Sequence, residues 1–277
     1  MGVTVSAVCR YLGITRQNYY ARRRVRERRR IDGELLEALV LRERREQPRL
    51  GTRKLHHRLK RELKEAGVKV GRDRIFEELK QRELLVPRKP AAWPQTTQVY
   101  EPIPIIHNLV KGLEVQRPNE VWVSDLTYVR SLEGYLFLSL ITDRMSRKIV
   151  GYHVGDSLEA VGCLAALEMA LEGLPAGQRP IHHSDRGCQY SSHDYVNKLK
   201  AHSLEISMTE QDHCAENALA ERMNGILKQE YGLGEEFATK QQVRKATDQA
   251  VWLYNNKRPH TALGYDYPQR VHNGRYC

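Results

Sequence analysis

The chain has 277 residues, enough to bury a core in one large domain or two modest ones. Its five cysteines (Cys9, Cys163, Cys188, Cys214 and Cys277) show no CxxC pair and no zinc-finger spacing, which argues against a disulfide- or zinc-stapled fold and fits a reducing cytoplasm. No apolar run approaches the ~18 residues of a spanning helix and no signal-peptide pattern is present, so a soluble protein with no membrane partner is expected. The net charge of +11 is uneven: residues 1–90 hold 26 Lys and Arg against 12 Asp and Glu, and the remainder 19 against 22. A polyanion partner, nucleic acid before membrane, is therefore expected to meet the first third of the chain.

In chain order, VSAVCRYLGITRQNYYARR reads as a helix, a turn at Gly13 and a second helix that Thr15 can cap, the plan of a helix-turn-helix. The run ARRRVRERRR is basic and compatible with a helix. GTRKLHHRLKRELKEAGVKVGRDRIFEELKQRELL repeats the plan, with Leu55, Leu59 and Leu63 on one face, a break around Gly67 and Gly71, and Ile75, Leu79 and Leu84 after it. Residues 1–86 are thus expected to form a basic all-α, tandem helix-turn-helix DNA-binding region, with Arg53, Lys54, Arg72 and Arg74 as candidate DNA contacts. A helical hairpin used for protein contact is the alternative. Five of the eleven prolines (Pro87, Pro90, Pro94, Pro102 and Pro104) crowd the next stretch, which predicts a linker over 87–108 at the charge boundary.

From 109 to 277 the rhythm changes. VWVSDLTYV, YLFLSLITD and RKIVGYHVG predict three strands in a meander. Then come a helix in SLEAVGCLAALEMALEG, a short strand in PIHHSD, a helix around YVNKLKAHS, a short strand in LEISMT, and the helices ENALAERMNGILKQE and KQQVRKATDQAVWLYNNK. That order predicts a layered α/β sheet rather than a barrel.

Two carboxylates stand out. Asp125 interrupts a near-continuously apolar strand, where an acid is costly unless paired or bound to a cation. Asp185 ends a second strand, in HHSDRGCQY, and ligands of α/β sheets gather at such carboxyl ends. A hard cation, Mg²⁺ or Mn²⁺, calls for a third oxygen donor. Asn217, Glu221, Asn224 and Lys228 recur on one face of ENALAERMNGILKQE, roughly opposite Leu219, Met223 and Ile226; solvent exposure of that polar face is the plainer reading. Glu221 follows Asp185 after 35 intervening residues, with Glu210, Asp212 and Glu216 as competing third acids. Of His182 and His183, alternation sends one to each face, and packing or solvation is the better expectation than metal ligation. Asp143 is read as a turn former rather than a fourth acid.

The pattern Asp125, Asp185, 35 residues, Glu221 resembles the catalytic triad of the retroviral-integrase and transposase superfamily. With WVSDLTYV, HSDRGCQY, ENALAERMNGILKQE, YNNKRPHTALGYDYP and the N-terminal helical segments, nearly the whole chain is similar to the second-frame (OrfB) transposase of the insertion-sequence-three group. Cys188 and Glu216 depart conservatively from the usual Ser and Asp. The resemblance implies a ribonuclease H-like mixed sheet flanked by helices, with a C-terminal helical extension. It also implies two Mg²⁺ or Mn²⁺ ions held by Asp125, Asp185 and Glu221, and cleavage of insertion-sequence ends followed by strand transfer into target DNA. Lys228 is implied as a phosphate contact, Arg222 and Asn224 join it as DNA-contact candidates on the same helix, and Arg258 and His260 belong to a family motif serving phosphate contact or local packing. Partners implied are terminal inverted repeats, target DNA, a first-frame transposition protein and further copies of the chain on DNA, in a bacterial, nucleoid-associated setting. A non-catalytic DNA-binding regulator, a catalytic fragment needing fusion to a first-frame protein, and a ribonuclease H or junction nuclease are the competing readings.

Overall fold

A computed structural model of the protein describes residues 4–87, 106–210 and 216–274. The chain divides into two compact units, Met1–Pro87 and Arg88–Cys277. Most of the expected linker lies outside the described residues. Its end does not behave as a linker: Ile106 packs against the second unit's core, the His107 carbonyl accepts from the Met208 N–H, and the Asn108 N–H donates to Glu210. An apolar side chain and two edge hydrogen bonds tie this segment to the sheet.

In the first unit α1 (Val5–Tyr11) is followed by α2 (Arg16–Glu46), whose N-cap Thr15 accepts from the Asn18 N–H. The arginine run does not separate two hairpins; it lies inside the single 31-residue α2. The next helices, α3 (Thr52–Glu65) and α4 (Arg72–Gln81), turn through Gly67, whose φ of 70° suits a residue without a Cβ. Leu36 and Val40 of α2 meet Leu55, Leu59 and Leu63 of α3 and Ile75 and Leu79 of α4 in one core. Acids of α2 pair with arginines of the later helices: Glu43 with Arg58, and Glu37 with Arg82. The arginines of 22–30 are exposed.

The second unit is a mixed sheet. β1 (Val121–Ser131), β2 (Gly134–Asp143) and β3 (Ile149–Gly155) form the antiparallel meander; β4 (Ile181–Ser184) runs parallel to β1 and β5 (Ile206–Met208) parallel to β4, in the order β3-β2-β1-β4-β5. On one face lie α5 (Ala160–Glu172), the short α6 (Cys188–Ser191) and α7 (His193–Ala201), around Trp122, Ile141, Leu167 and Tyr195. Gly151 permits the close approach of α5, because a Cβ there would stand 2.1 Å from the Ala166 carbonyl oxygen. On the other face lie α8 (Ala218–Glu230) and α9 (Lys240–Lys257), around Leu138, Leu140, Met223, Leu227 and Tyr254. A two-residue strand, β6 (Glu236–Phe237), pairs with the end of β1, and α10 (Pro268–His272) packs on α9. The unit has the expected ribonuclease H-like architecture.

Candidate active site

Side chains alternate along a strand, so Val123, Asp125 and Val129 of β1 face α8 while Trp122 and Ser124 face α5 and α7. Parallel pairing of Val123 with His183 puts Asp185, two residues on, beside Asp125 on the α8 side. Glu221 stands in the first turn of α8, above β1. The sheet register and one helix thus put the three predicted acids on the same side of the sheet, near enough for Asp185 and Glu221 to act on the charge of Asp125.

Their charges interact. The Asp125 carboxyl is pushed up to about 7, first by enclosure, then by the charge of Asp185, with a further push from Glu221. Opposing this, its Oδ1 accepts from the Leu126 N–H at 2.9 Å and its Oδ2 from the Asn224 amide at 2.8 Å. Asp185 accepts from the Gly187 N–H at 3.0 Å, a turn contact that fixes its carboxylate just past β4. Glu221 is exposed.

The polar stripe of α8 does not face solvent along its length, because β1 offers it polar partners. Asn217 is buried and donates to the Ser124 carbonyl at 3.0 Å, Asn224 is buried against Asp125, and the Lys228 ammonium lies 4.4 Å from the centre of the Tyr128 ring. Burial lowers the Lys228 ammonium's proton affinity while the charge of Asp125 opposes that. Asn217 and Asn224 act as inward braces, with Met223 and Leu227 filling the core beside them.

The other candidates separate. Arg222 is exposed next to Glu221. Arg258 and His260 are buried: the Arg258 guanidinium makes a bidentate pair with Glu230 at 2.7 and 2.8 Å, and His260 Nε2 meets the Tyr254 hydroxyl at 2.8 Å. Local packing is what the structure assigns to these two, and Asn224 likewise spends its amide inside the fold. In the first unit Arg53 and Arg72 are exposed, Lys54 is half-buried, and Arg74 lies 3.6 Å from Asp32. Of the competing acids, Glu210 accepts from the Asn108 N–H and Glu216 from the Glu210 N–H, while Asp212 lies outside the described residues.

The histidines split between the two faces. His182 Nε2 sits 2.7 Å from the Ser124 hydroxyl and 2.8 Å from that of Tyr195, and burial drops its pKa to about 3. His183 Nδ1 sits 2.9 Å from the Ser207 hydroxyl. Asp143 is fully buried and holds a turn: it accepts from the Asn119 N–H and from both the N–H and the hydroxyl of Ser146, with His272 at 3.9 Å. Burial alone would raise its carboxyl; these donors outweigh that and hold it below the usual range.

Three carboxylates suit a hard divalent cation, and a raised, doubly repelled Asp125 is the electrostatic signature of a site lacking positive charge. Among the described residues no three His, Cys, Asp or Glu side chains stand close enough to grip an ion as they are placed.

Two matches to the integrase core domain cover residues 115–214 and 202–268. The chain is 34% identical over 263 residues to the insertion element IS600 uncharacterized 31 kDa protein of Shigella sonnei, covering 93% of this chain and 94% of that one. It is 34% identical over 173 residues to transposase InsF for insertion sequence IS3A of Escherichia coli K12, covering 62% of this chain but only 60% of that protein. Among solved structures, the HTLV-2 integrase catalytic core domain in complex with magnesium aligns at a TM-score of 0.46 and 19% identity, over 56% of this chain and 97% of that one. By its near full-length likeness to the IS600 protein and its two integrase-core matches, the chain belongs to the insertion-sequence-three group of DDE transposases.

Proposed function

We propose that the chain cleaves the ends of its insertion-sequence DNA and joins them to target DNA by transesterification, with Asp125, Asp185 and Glu221 as the catalytic, metal-holding carboxylates. The observation that carries the reading is the convergence of these acids on one sheet face, with Asp125 raised to about 7 by enclosure and by the other two. A pair of Mg²⁺ or Mn²⁺ ions, when bound, supplies Lewis-acid activation of the attacking and departing oxygens of the phosphodiester.

The chain's own residues do the rest. Asp125 would be the inner carboxylate of the set, and the Asn224 amide and Leu126 N–H fix its plane. Because a carboxylate holds a cation only when ionised, the raised Asp125 carboxyl would weaken cation binding as pH falls. Lys228 and Arg222, on α8 beside Glu221, meet DNA phosphates; Arg53, Lys54 and Arg72 of the helical unit supply contacts further along the duplex. No covalent nucleophile is needed: the Ser184 hydroxyl donates to the Asp185 carbonyl, and Tyr190 is buried among aromatic rings. A first-frame protein and further copies of the chain assemble with it on paired DNA ends.

The test is incubation of the pure chain, alone and with the first-frame protein, with labelled element ends and Mn²⁺. Specific 3′-end cleavage and joining are expected. Asp185→Asn and Glu221→Gln variants are expected to bind ends and leave them uncut. No cleavage under either condition sinks the reading, and full activity in either variant sinks the site assignment.

A further inference from the structure

Beside the triad, on the same face of the sheet, lies a cavity of about 320 Å³ walled by Val123, His183, Asn217 and Glu216, with Arg144 and Lys111 at its edge. Val123 and His183 precede Asp125 and Asp185 by two residues each, so the cavity opens ~7 Å behind the acids along the strands. It is separate from the three carboxylates, none of which lines it.

Its wall holds an unanswered hydrogen-bonding group. His183 is fully buried, its Nδ1 lies 2.9 Å from the Ser207 hydroxyl, and its Nε2 makes no well-formed hydrogen bond, the Glu216 backbone being near the ring without closing one. The Ser207 oxygen already accepts from the Leu109 N–H at 2.9 Å, so its own proton is best placed on His183 Nδ1. That leaves the other ring nitrogen carrying its hydrogen, a buried N–H donor, and a buried donor left unmade costs ~1–3 kcal/mol. The chain keeps it at the wall of a cavity roomy enough for a tetrahedral anion.

The charges point the same way. Arg144 gives one N–H to the Val110 carbonyl at 3.0 Å, and neither it nor Lys111 pairs with a carboxylate among the described residues. Glu216 is the one acid in the wall, and its carboxylate accepts the Glu210 N–H. Asn217 contributes an unpartnered, buried Oδ1, an acceptor that a water bridging to a phosphate oxygen can satisfy.

We infer that this cavity is a phosphate-binding site that takes a backbone phosphate of the DNA strand lying in the active site, held by the His183 Nε2–H, Arg144 and Lys111. It rests on the proposed function for its DNA source and adds a strand anchor to it. At ~3.4 Å of axis per phosphate on one strand, the offset from the acids corresponds to roughly two nucleotides. The anchor fixes the strand's register relative to the carboxylates, so that a defined phosphodiester meets them.

The experiment uses the full chain without divalent metal and two readouts. The His183 ring nitrogens, assigned by their absence in His183→Gln, are followed by nitrogen NMR as element-end duplex or, separately, inorganic phosphate at matched ionic strength is added. Duplex affinity is measured against salt for wild type, Lys111→Gln and the Lys111→Gln/Arg144→Gln double variant. Duplex is expected to move the Nε2 signal, and the double variant is expected to flatten the log–log salt slope by about 1, the loss of one neutralised phosphate. The exposed Lys111→Gln change alone, which leaves the Arg144 contact intact, is expected to show part of that effect. A response to inorganic phosphate but not to duplex confirms the phosphate chemistry and overturns the DNA source. A silent His183 with both probes and an unchanged slope overturn the site. Since no metal is present, a chain that shows both responses yet never cleaves keeps this site and loses the catalytic reading, while a chain that cleaves and shows neither response loses only the site.

Discussion

Two acids on adjoining strands of one sheet meet opposite fates. Asp143, at the end of β2 opposite Trp122, is fully buried, yet three donors from Asn119 and Ser146 and the nearby His272 hold its carboxyl below the usual range. Asp125, three positions further along β1 opposite Leu140, has two donors and two acidic neighbours, and is pushed up to about 7. Enclosure acts on both in the same direction, so it does not separate them. The partner set does: Asp143 is a finished structural knot, whereas Asp125 sets two donors against two acidic neighbours.

The largest test of this contrast is Asp125→Asn. Loss of end cleavage by about three orders of magnitude or more is expected, with DNA binding kept. The same change is expected to stabilise the metal-free chain at pH 8. A carboxyl whose folded value exceeds its unfolded value of about 3.9 adds stability only as pH falls below 7, and above pH 7 its enclosure, together with repulsion by Asp185 and Glu221, weighs on the fold by roughly 4 kcal/mol at most. The new amide loses no partner, since Asn224 can flip to present its unpartnered Oδ1. Thermal unfolding at pH 8 and pH 5 checks this: equal melting temperatures for variant and wild type at pH 8 would erase the distinction between the two acids. Mn²⁺ is likewise expected to raise the wild-type melting temperature at pH 8, to do so far less at pH 5, and to do little for Asp125→Asn.

Asp143→Ala is expected to act in reverse. It leaves the Asn119 N–H and the Ser146 N–H and hydroxyl buried without their acceptor, at a cost of about 3 kcal/mol. Because the Asp143 carboxyl is lowered in the fold, its contribution is complete above about pH 4 and fades as pH falls through its folded value. Urea unfolding at pH 7 checks the variant, and a loss under about 1 kcal/mol would mean that the knot is ornamental.

How much of this was legible in the sequence follows the same divide. Asp125 stands out because an acid in VWVSDLTYV violates the pattern of a covered strand, and Glu221 because its spacing from Asp185 resembles the family's triad. The braces were misread in part: a polar stripe on a helix normally faces water, and only the register of β1 reveals that Ser124, Asp125 and Tyr128 offer partners to Asn217, Asn224 and Lys228. For Arg258 and His260 the motif NNKRPHTALG leaves phosphate contact and local packing open, and the choice of packing depends on Glu230 of α8 and Tyr254 of α9. The long α2 was masked by Gly33 and the arginine run, and β6 is too short for any periodicity. Pairwise tertiary partners, not local pattern, decide these cases.

The finest test concerns Asn224, which belongs to neither acid's class: it is a neutral side chain that moves Asp125 part of the way toward the ionised state of Asp143. Its amide donates to Asp125 Oδ2, and a hydrogen bond to a charged acceptor contributes ~1.5 kcal/mol. Asn224→Ala removes that donor, so Asp125 titrates still higher and the acidic limb of the cleavage profile is expected to move up by about one pH unit. At pH 9, where Asp125 is ionised in both chains, the rates are expected to converge. Asn224→Asp adds a third neighbouring charge and is expected to move the limb further. A profile that falls evenly at every pH would assign Asn224 to packing alone, and the raised carboxyl of Asp125 would then owe its position to its acidic neighbours and its enclosure without a counterweight from α8.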